Sequence, residues 1–395
     1  MPQAPDMEIY HFWTGHEEAP VNALLNAFEK KYGMKIGRNA MEWSVYSMVT
    51  KAMLIGGNAP DLMVYDIGQR IRESARIGEL SRLDDVWGAE FSKLYPEWVK
   101  DACRDGENTY GVPIKRFTFV VWYLKDVFQK YRISPPETWD DFIDICKKFE
   151  KAGLPPMVAS DWEISMWFEN ILARTVGQKF YNRLMNGDEK WTDPKVIDAY
   201  ETLQEMALNY MIPYPFTNSF KESWEILNKR EAGMQLQGDW VNGMWRRRYR
   251  YAPGKNYDFF PVPPIDKRIG QIMVAGGNAW VIPEKAKNAE NARKFLRFAG
   301  SVEGQRILVR KGMGLAGSNY VGTENYDAIS RRLIEYLDRF PTVLQMDAIL
   351  PYSVSSVEKL QQMQIVLGQK TKKTEIKRLL SEIDTATDKI KHARE

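Results

Sequence analysis

Apolar and polar positions along the first 70 residues switch repeatedly between two periods, and the switches set out an order of elements. Glu8-Ile-Tyr-His-Phe-Trp13 has the β-branched and aromatic make-up of a strand. Thr14-Gly-His-Glu17 has the Thr-to-Glu spacing of a capping box. Leu24, Leu25 and Phe28 then recur at helical spacing up to the stop Lys-Lys-Tyr-Gly33. The pattern next predicts a strand at Met34-Lys-Ile-Gly37, a helix over 46–55 ended by Gly56-Gly57, and a third strand at Pro60-Asp-Leu-Met-Val-Tyr65. Such alternation predicts an α/β layer with parallel strands. Ligands of these sheets bind beyond the carboxyl ends of the strands, and here those ends carry Trp13-Thr14 and Tyr65-Asp66.

A second series follows Tyr110-Gly-Val-Pro-Ile114, opening with the strand Phe117-Thr-Phe-Val-Val-Trp-Tyr123. Periodicity predicts helices over about 137–152, 163–175 and 194–210, the last opening at Asp193-Pro194. Strands are expected at 234–237, Asp258-Phe-Phe-Pro-Val262 and Gly276-Gly-Asn-Ala-Trp-Val-Ile-Pro283, and a helix over 289–298. The remainder from Tyr326 reads as largely helical. The chain shows neither an internal repeat nor a low-complexity linker, so two lobes would be joined by ordinary strands, which suggests a hinge rather than a tether.

Length makes two domains the natural expectation for 395 residues. Lys+Arg 55 against Asp+Glu 52 gives no global field to attract nucleic acid or an anionic membrane. No apolar run approaches the roughly 18 residues of a membrane span. The opening Met-Pro-Gln-Ala-Pro-Asp is too polar for a signal peptide, so the sequence reads as cytosolic or as a mature secreted form with its leader trimmed. Two cysteines, Cys103 and Cys146, make neither a disulfide framework nor a metal site. Three histidines, His11, His16 and His392, argue against a zinc enzyme, and no cofactor is expected.

Several stretches invite a chemical reading. Gly312-Met-Gly-Leu-Ala-Gly317 matches the GxGxxG letters, but no strand ending there leads into a βαβ unit. Trp245-Arg-Arg-Arg-Tyr-Arg-Tyr251 mixes cations and aromatics as single-strand binders do. It better suits the solvated end of a helix begun at Asp239, where cations suit the C-terminal dipole. Asp66, Asp161 and Asp239 could supply a glycosidase carboxylate pair, which needs a separation of about 5–9 Å that sequence does not give. They are equally ordinary helix caps.

A binding cleft accounts for more of the features at once. Trp13, Trp162, Trp167, Trp240 and Trp280 fall at or near strand ends or helix starts, most beside a polar residue: Thr14, Asp161, Asp239, Asn278. A sugar presents a C–H face and a rim of hydroxyls, so its complement is a flat aromatic with planar hydrogen-bonding groups beside it. Asp accepts, Lys donates and Asn does both. Any single one of these tryptophans is as well explained by core packing.

At these residues the chain resembles the extracellular solute-binding proteins of ABC importers, family 1 (maltose-binding-like), and most of all members that bind glucose, mannose or short oligosaccharides. The matching pieces run in order over nearly the whole length: Glu8-Ile-Tyr-His-Phe-Trp-Thr-Gly15, Gly57-Asn-Ala-Pro-Asp-Leu62, Tyr110-Gly-Val-Pro113, Trp122-Tyr-Leu-Lys-Asp126, Thr138-Trp-Asp-Asp-Phe142, Gly238-Asp-Trp240 and Gly276-Gly-Asn278, followed by 288–305. The resemblance implies a two-lobe periplasmic-binding-protein-like (type II) α/β fold with a ligand cleft between lobes joined by hinge strands. It implies lobes of 1–114 plus 276–313 and of 115–275 plus 314–395.

It also implies a function without catalysis: a monomeric extracytoplasmic receptor, membrane-anchored in its full-length form, that closes on a sugar and delivers it to the transmembrane subunits of an ABC permease. Ligand positions then fall on Trp13, Asp66, the loop Lys115-Arg116-Phe117, Trp162, Trp240, Asn278 and Lys311. Their neighbours Tyr65, Asp161, Asp239, Gly277 and Trp280 join the candidate set. Asp239 would cap a helix and accept a hydroxyl, while Trp240 would offer its face to the ring from the second lobe. The family's loop after the Val-Pro pair is usually small and polar, whereas here it is Lys115-Arg116-Phe117. Two cations there suit an acidic sugar or sugar phosphate, or else balance Asp66 and Asp239.

Overall fold

The computed structural model describes residues 4–213, 215–368 and 372–392. Backbone contacts divide the chain into two compact α/β units. The first comprises Met1–Phe117, Trp240–Arg250 and Gly276–Arg331, and the second Thr118–Asp239, Tyr251–Ala275 and Arg332–Glu395. Residues 115–117, 240–250 and 314–331, which the sequence reading gave to the second lobe, group with the first unit. Two of the crossings between units lie inside strands, Val112–Leu124 and Met273–Val281, which accords with joining by ordinary strands.

In the first unit the strand Met7–His11 runs parallel to Ile36–Ala40, with Met7 opposite Ile36. The helix Glu18–Tyr32 between them buries Val21, Leu24, Leu25 and Phe28, the apolar stripe that the sequence shows. It ends at Gly33 with φ 67°, where a side chain would be strained. The expected capping box is not formed. Gly15–Glu17 is a 3₁₀ turn that displaces Thr14 from the helix start, and the Thr14 hydroxyl donates to Glu42 instead at 2.9 Å.

The third strand, Met63–Asp66, departs from a purely parallel layer. It pairs antiparallel with the far end of Met273–Val281, placing Asp66 opposite Asn278 and Val64 opposite Trp280. Helix Trp43–Ile55 is tied to it through Tyr46, whose hydroxyl donates to the Val64 carbonyl and accepts from the Val64 N–H, both at 2.8 Å. One phenol thus satisfies both backbone groups of a buried residue. The core of this unit gathers Met7, Ile9, Trp13, Leu24, Phe28, Trp280, Phe295 and Phe298.

In the second unit helix Asp161–Val176 is buried along most of its length and packs on Pro194–Tyr210. Its neighbours carry the caps that the sequence signals. Thr138 and Asp141 exchange capping hydrogen bonds at the start of Trp139–Lys151, and Asp193 accepts from the Lys195 N–H at 2.9 Å. Strand Met234–Gly238 lies antiparallel to the 119–122 part of Val112–Leu124 and parallel to Met157–Val158. The polar C-terminal helix Lys373–His392 docks through Asp384, which accepts from the backbone of Trp191 and Thr192.

Candidate functional site

In the first unit the candidate residues converge on one ammonium. Lys115 is only 5% exposed, and its Nζ lies 5.9 Å from the ring centroid of Trp13, 5.8 Å from that of Phe117 and 5.4 Å from that of Trp240. Each such approach is worth about 0.5–1 kcal/mol at exposed sites and more where water is excluded. Phe117 meets Trp240 edge to face, with centroids 5.3 Å apart. Pairing of Ala316 with Lys115 and of Leu315 with Arg116 keeps this part of the strand in place. Trp13 is almost fully buried, whereas Trp240 is partly exposed.

Beside this cluster the carboxyl end of Met63–Asp66 brings Tyr65 and Asp66 forward. Asn278 donates from its side-chain nitrogen to Asp66 at 2.7 Å. Gly277 leaves room for a close backbone approach: a Cβ there would stand 2.8 Å from the Lys115 carbonyl and 2.9 Å from the end of Ile67. The Arg70 guanidinium lies 4.2 Å from the centre of the buried Tyr65 ring, whose phenol burial pushes up in pKa.

The second unit contributes a separate group. Asp161 is exposed at the first position of its helix and accepts from the Trp162 N–H at 2.7 Å. Trp162 is partly exposed and meets Phe119 edge to face at 5.7 Å. Phe119 in turn pairs with Gly238 across the sheet, so the buried Asp239 follows directly on this patch. Trp167, weighed with the other indoles, is wholly buried.

Two other candidates sit differently. Trp280 is 1% exposed and packs edge-on against Trp13 and Phe295, as a core residue does. Lys311 is exposed where helix Val302–Arg310 ends. The GxGxxG letters follow that helix and lead into the two-residue strand Leu315–Ala316, an order opposite to that of a dinucleotide loop. The arginine-rich stretch continues the turn at Trp240–Met244 as the π-helical Trp245–Tyr249, and Arg247 donates to the Gly312 carbonyl at 2.7 Å. Among the described residues no group of His, Cys, Asp and Glu is placed to hold a metal ion.

Sequence reasoning missed Glu42, Trp43 and Arg70. Trp43 is 43% exposed, stacks its edge on Phe12, and has the Arg70 guanidinium 5.5 Å from its ring. It follows the carboxyl end of strand Ile36–Ala40, so the strand-end rule that picked out Trp13 and Tyr65 would have found it.

The family model for bacterial extracellular solute-binding proteins matches residues 14–306. An uncharacterized ABC transporter extracellular-binding protein of Pyrococcus horikoshii is 28% identical over 353 residues, covering 87% of this chain and 78% of its own. A maltooligosaccharide ABC transporter solute-binding lipoprotein of Streptococcus pneumoniae is 24% identical over 310 residues, covering 74% of this chain and 67% of its own. Among solved structures, a bacterial solute receptor with an exclusive preference for β-D-galactopyranose superposes with a TM-score of 0.87 at 21% identity, covering 98% of each chain. A chitin oligosaccharide binding protein gives a TM-score of 0.84 at 17% identity, covering 98% of this chain and all of the other. These likenesses establish the two-lobe α/β fold of solute receptors. They also remove the glycosidase reading of Asp66 and Asp239, because the family's members are receptors and not enzymes. Among the described residues no helix is long and apolar enough to cross a membrane. With a family model matching most of its length, the chain belongs to the bacterial extracellular solute-binding proteins.

Proposed function

We propose that the protein is the sugar-binding component of an ABC importer, taking a monosaccharide or short oligosaccharide, with glucose- or mannose-type sugars favoured. The observation that carries this reading is the Lys115 ammonium ringed by Trp13, Phe117 and Trp240. Aromatic area and an adjoining donor are what a pyranose, with its C–H faces and hydroxyl rim, requires. Asp66 and Asn278 supply acceptor and donor beside them. The names of relatives support sugars as a class while spreading over several kinds: maltooligosaccharide, diacetylchitobiose and a probable sugar-binding periplasmic protein.

The candidate residues divide between the two units, so we expect the sugar to favour a conformation in which residues from both engage it. In the cell the receptor would be a monomer outside the cytoplasm, anchored to the membrane in its full-length form, and would hand its sugar to the permease's transmembrane subunits. A second reading, an acidic sugar or sugar phosphate, is favoured by one observation: Lys115 and Arg116 are both about 95% buried, at 5% and 4% exposure. Arg can hold a carboxylate or phosphate through two parallel hydrogen bonds.

One screen tests both. Melting temperature is measured against neutral and acidic sugars, followed by solution scattering with the best binder. A ligand at a hundredfold excess over Kd adds about 2.7 kcal/mol, enough to raise the melting temperature by several degrees. A neutral hexose or short oligosaccharide should give that shift together with a smaller radius of gyration. Preference for glucuronate or a hexose phosphate would move the assignment to the acidic class. A shift without compaction would remove the conformational step.

A further inference from the structure

Glu163 is a charged residue in an interior position that the binding reading does not use. It is the third residue of helix Asp161–Val176 and is fully buried. Its two oxygens are committed in different directions. Oε2 accepts from the Ser160 N–H at 3.0 Å, closing the start of the helix that carries Asp161 and Trp162. Oε1 accepts from Ser223 at 2.9 Å, from the Gln235 amide at 2.9 Å and from the Gln237 amide at 2.7 Å.

Gln237 extends the chain of contacts. Its side-chain oxygen accepts from the Gly238 N–H at 2.9 Å, and its carbonyl accepts from the Trp122 indole at 3.0 Å. The strand end that presents Asp239 is therefore held to the helix start that presents Trp162 through one carboxylate. The tie to the strand is not local in sequence, since Gln237 lies 74 residues from Glu163. A buried carboxylate is costly to desolvate and persists where several donors converge on it.

We propose that Glu163 is a positioning residue for ligand binding, whose carboxylate sets the helix start at Asp161-Trp162 and the strand end at Gly238-Asp239 in a fixed mutual arrangement, and that replacing its acceptor oxygens releases both; this rests on the sugar-binding reading above. Ser160, Ser223, Gln235 and Gln237 all donate to the carboxylate, so an amide in its place would set its own N–H groups against some of these donors.

Burial raises the carboxyl to about 7, with the hydrogen bonds from Ser223, Ser160, Gln237 and Gln235 opposing it. The charged groups on the elements around it are Asp161, Glu169 and Arg174 of its own helix, Lys195, Asp198, Glu201 and Glu205 of helix Pro194–Tyr210 packed on it, Lys221, Glu222 and Glu225 of helix Phe220–Asn228, and Asp239 after the strand. Asp161, Lys221 and Glu222 are exposed. Strands Met157–Val158 and Met234–Gly238 and the turn Pro215–Thr217 carry no charge.

The test uses the full chain, wild type against Glu163→Gln and Gln237→Leu. The first readout needs no sugar: amide hydrogen exchange at pH 8 over peptides containing 160–162 and 238–239. Glu163→Gln should speed exchange at least tenfold in both segments, and Gln237→Leu only in the second, with the other helices of the unit unchanged. Equal protection of both segments in all three proteins overturns the proposal. The second readout is affinity for the best sugar at pH 8, which should fall several-fold in Glu163→Gln. Equal affinity in the two would also overturn it. If no sugar binds the wild type, the sugar reading fails and the exchange result alone decides the positioning role. Exchange that rises throughout the second unit, with a matching fall in melting temperature, would make Glu163 a stabilising residue only and likewise sink the proposal.

Discussion

Asn278 donates to Asp66 at 2.7 Å, and the same two residues face each other across the antiparallel ladder between Met273–Val281 and Met63–Asp66. Sequence positions 212 apart are thus joined twice, once by backbone register and once by side chains. Asn278→Leu removes a donor from a partly buried carboxylate while leaving the ladder in place. The expected cost is about 1–3 kcal/mol of stability, read from the denaturant midpoint. Unchanged stability would mean that water or another group replaces the amide at once.

Trp240 and Trp280 should respond oppositely to truncation. Trp280 is core, so Trp280→Ala should cost about 3–5 kcal/mol of stability. Trp240 is partly exposed, so Trp240→Ala should keep most of the melting temperature while sugar affinity falls about tenfold, a loss of ~1.4 kcal/mol. Calorimetry on both variants separates the cases. A Trp240→Ala protein that binds as well as the wild type ends its role as a platform for the ring.

Stability should vary with pH through buried ionisable groups. Burial raises the carboxyls of Glu163 and Glu358 to about 7 and lifts that of Glu169 well above its ordinary range. A carboxyl raised by folding adds stability that is complete below its unfolded pKa, near 4.5, and is lost as pH climbs through 7. Burial holds the His11 imidazole down at about 4, and its share is present above 6.5 and lost below that. The melting temperature should therefore rise from pH 8 to pH 6.5, with His11 opposing any further gain under more acid conditions. Glu358→Gln, which leaves a neutral partner for the Tyr200 hydroxyl, should flatten the upper part of the curve. A melting temperature that falls between pH 8 and 6.5 contradicts this.

Cys103 and Cys146 are free, wholly buried and in different units. Burial pushes both thiols up, away from the thiolate that reacts. A thiol reagent should find neither in the native protein and two after denaturation without reductant. Fewer than two under those conditions would reveal oxidation.

Much of the fold could be read from local pattern. The stripe Leu24, Leu25, Phe28 and the caps Thr138 and Asp193 act through neighbours in sequence, and these elements stand within a few residues of where they were expected. What local pattern could not supply was decided by distant partners. Thr14 resembles a cap by spacing, yet its hydroxyl is taken by Glu42, 28 residues on. The third strand does meet the first in parallel through Leu62 and Ile9, but its longer ladder is antiparallel, with residues 278–281. The site shows the same split. Strand-end position picked out Trp13, Tyr65 and Asp66, but it could not separate Trp13 beside Lys115 from Trp280 within the core, because both are indoles at the ends of apolar runs. Glu163 gave no signal beyond the spacing of a helix start, since its partners Ser223, Gln235 and Gln237 come together only in three dimensions.

The order in which the chain is made follows from the way it passes between its units. The first unit uses residues from 1 to 331 and the second from 118 to 395, and neither is one continuous segment. As the chain emerges from the ribosome, the strand Met7–His11 and its parallel partner can meet early. Strand Met63–Asp66, however, waits for 278–281 before its antiparallel ladder exists, and Trp191 waits for Asp384. Nearly the whole polypeptide must therefore be synthesised before either unit can close its core. Until then the apolar faces of early helices are open to other proteins. A chain routed across a membrane before folding would gain from this delay, because holding it unfolded requires no opposition to a finished domain. Nascent chains halted at residue 270 should be cut by protease throughout 1–117, whereas the full chain should resist.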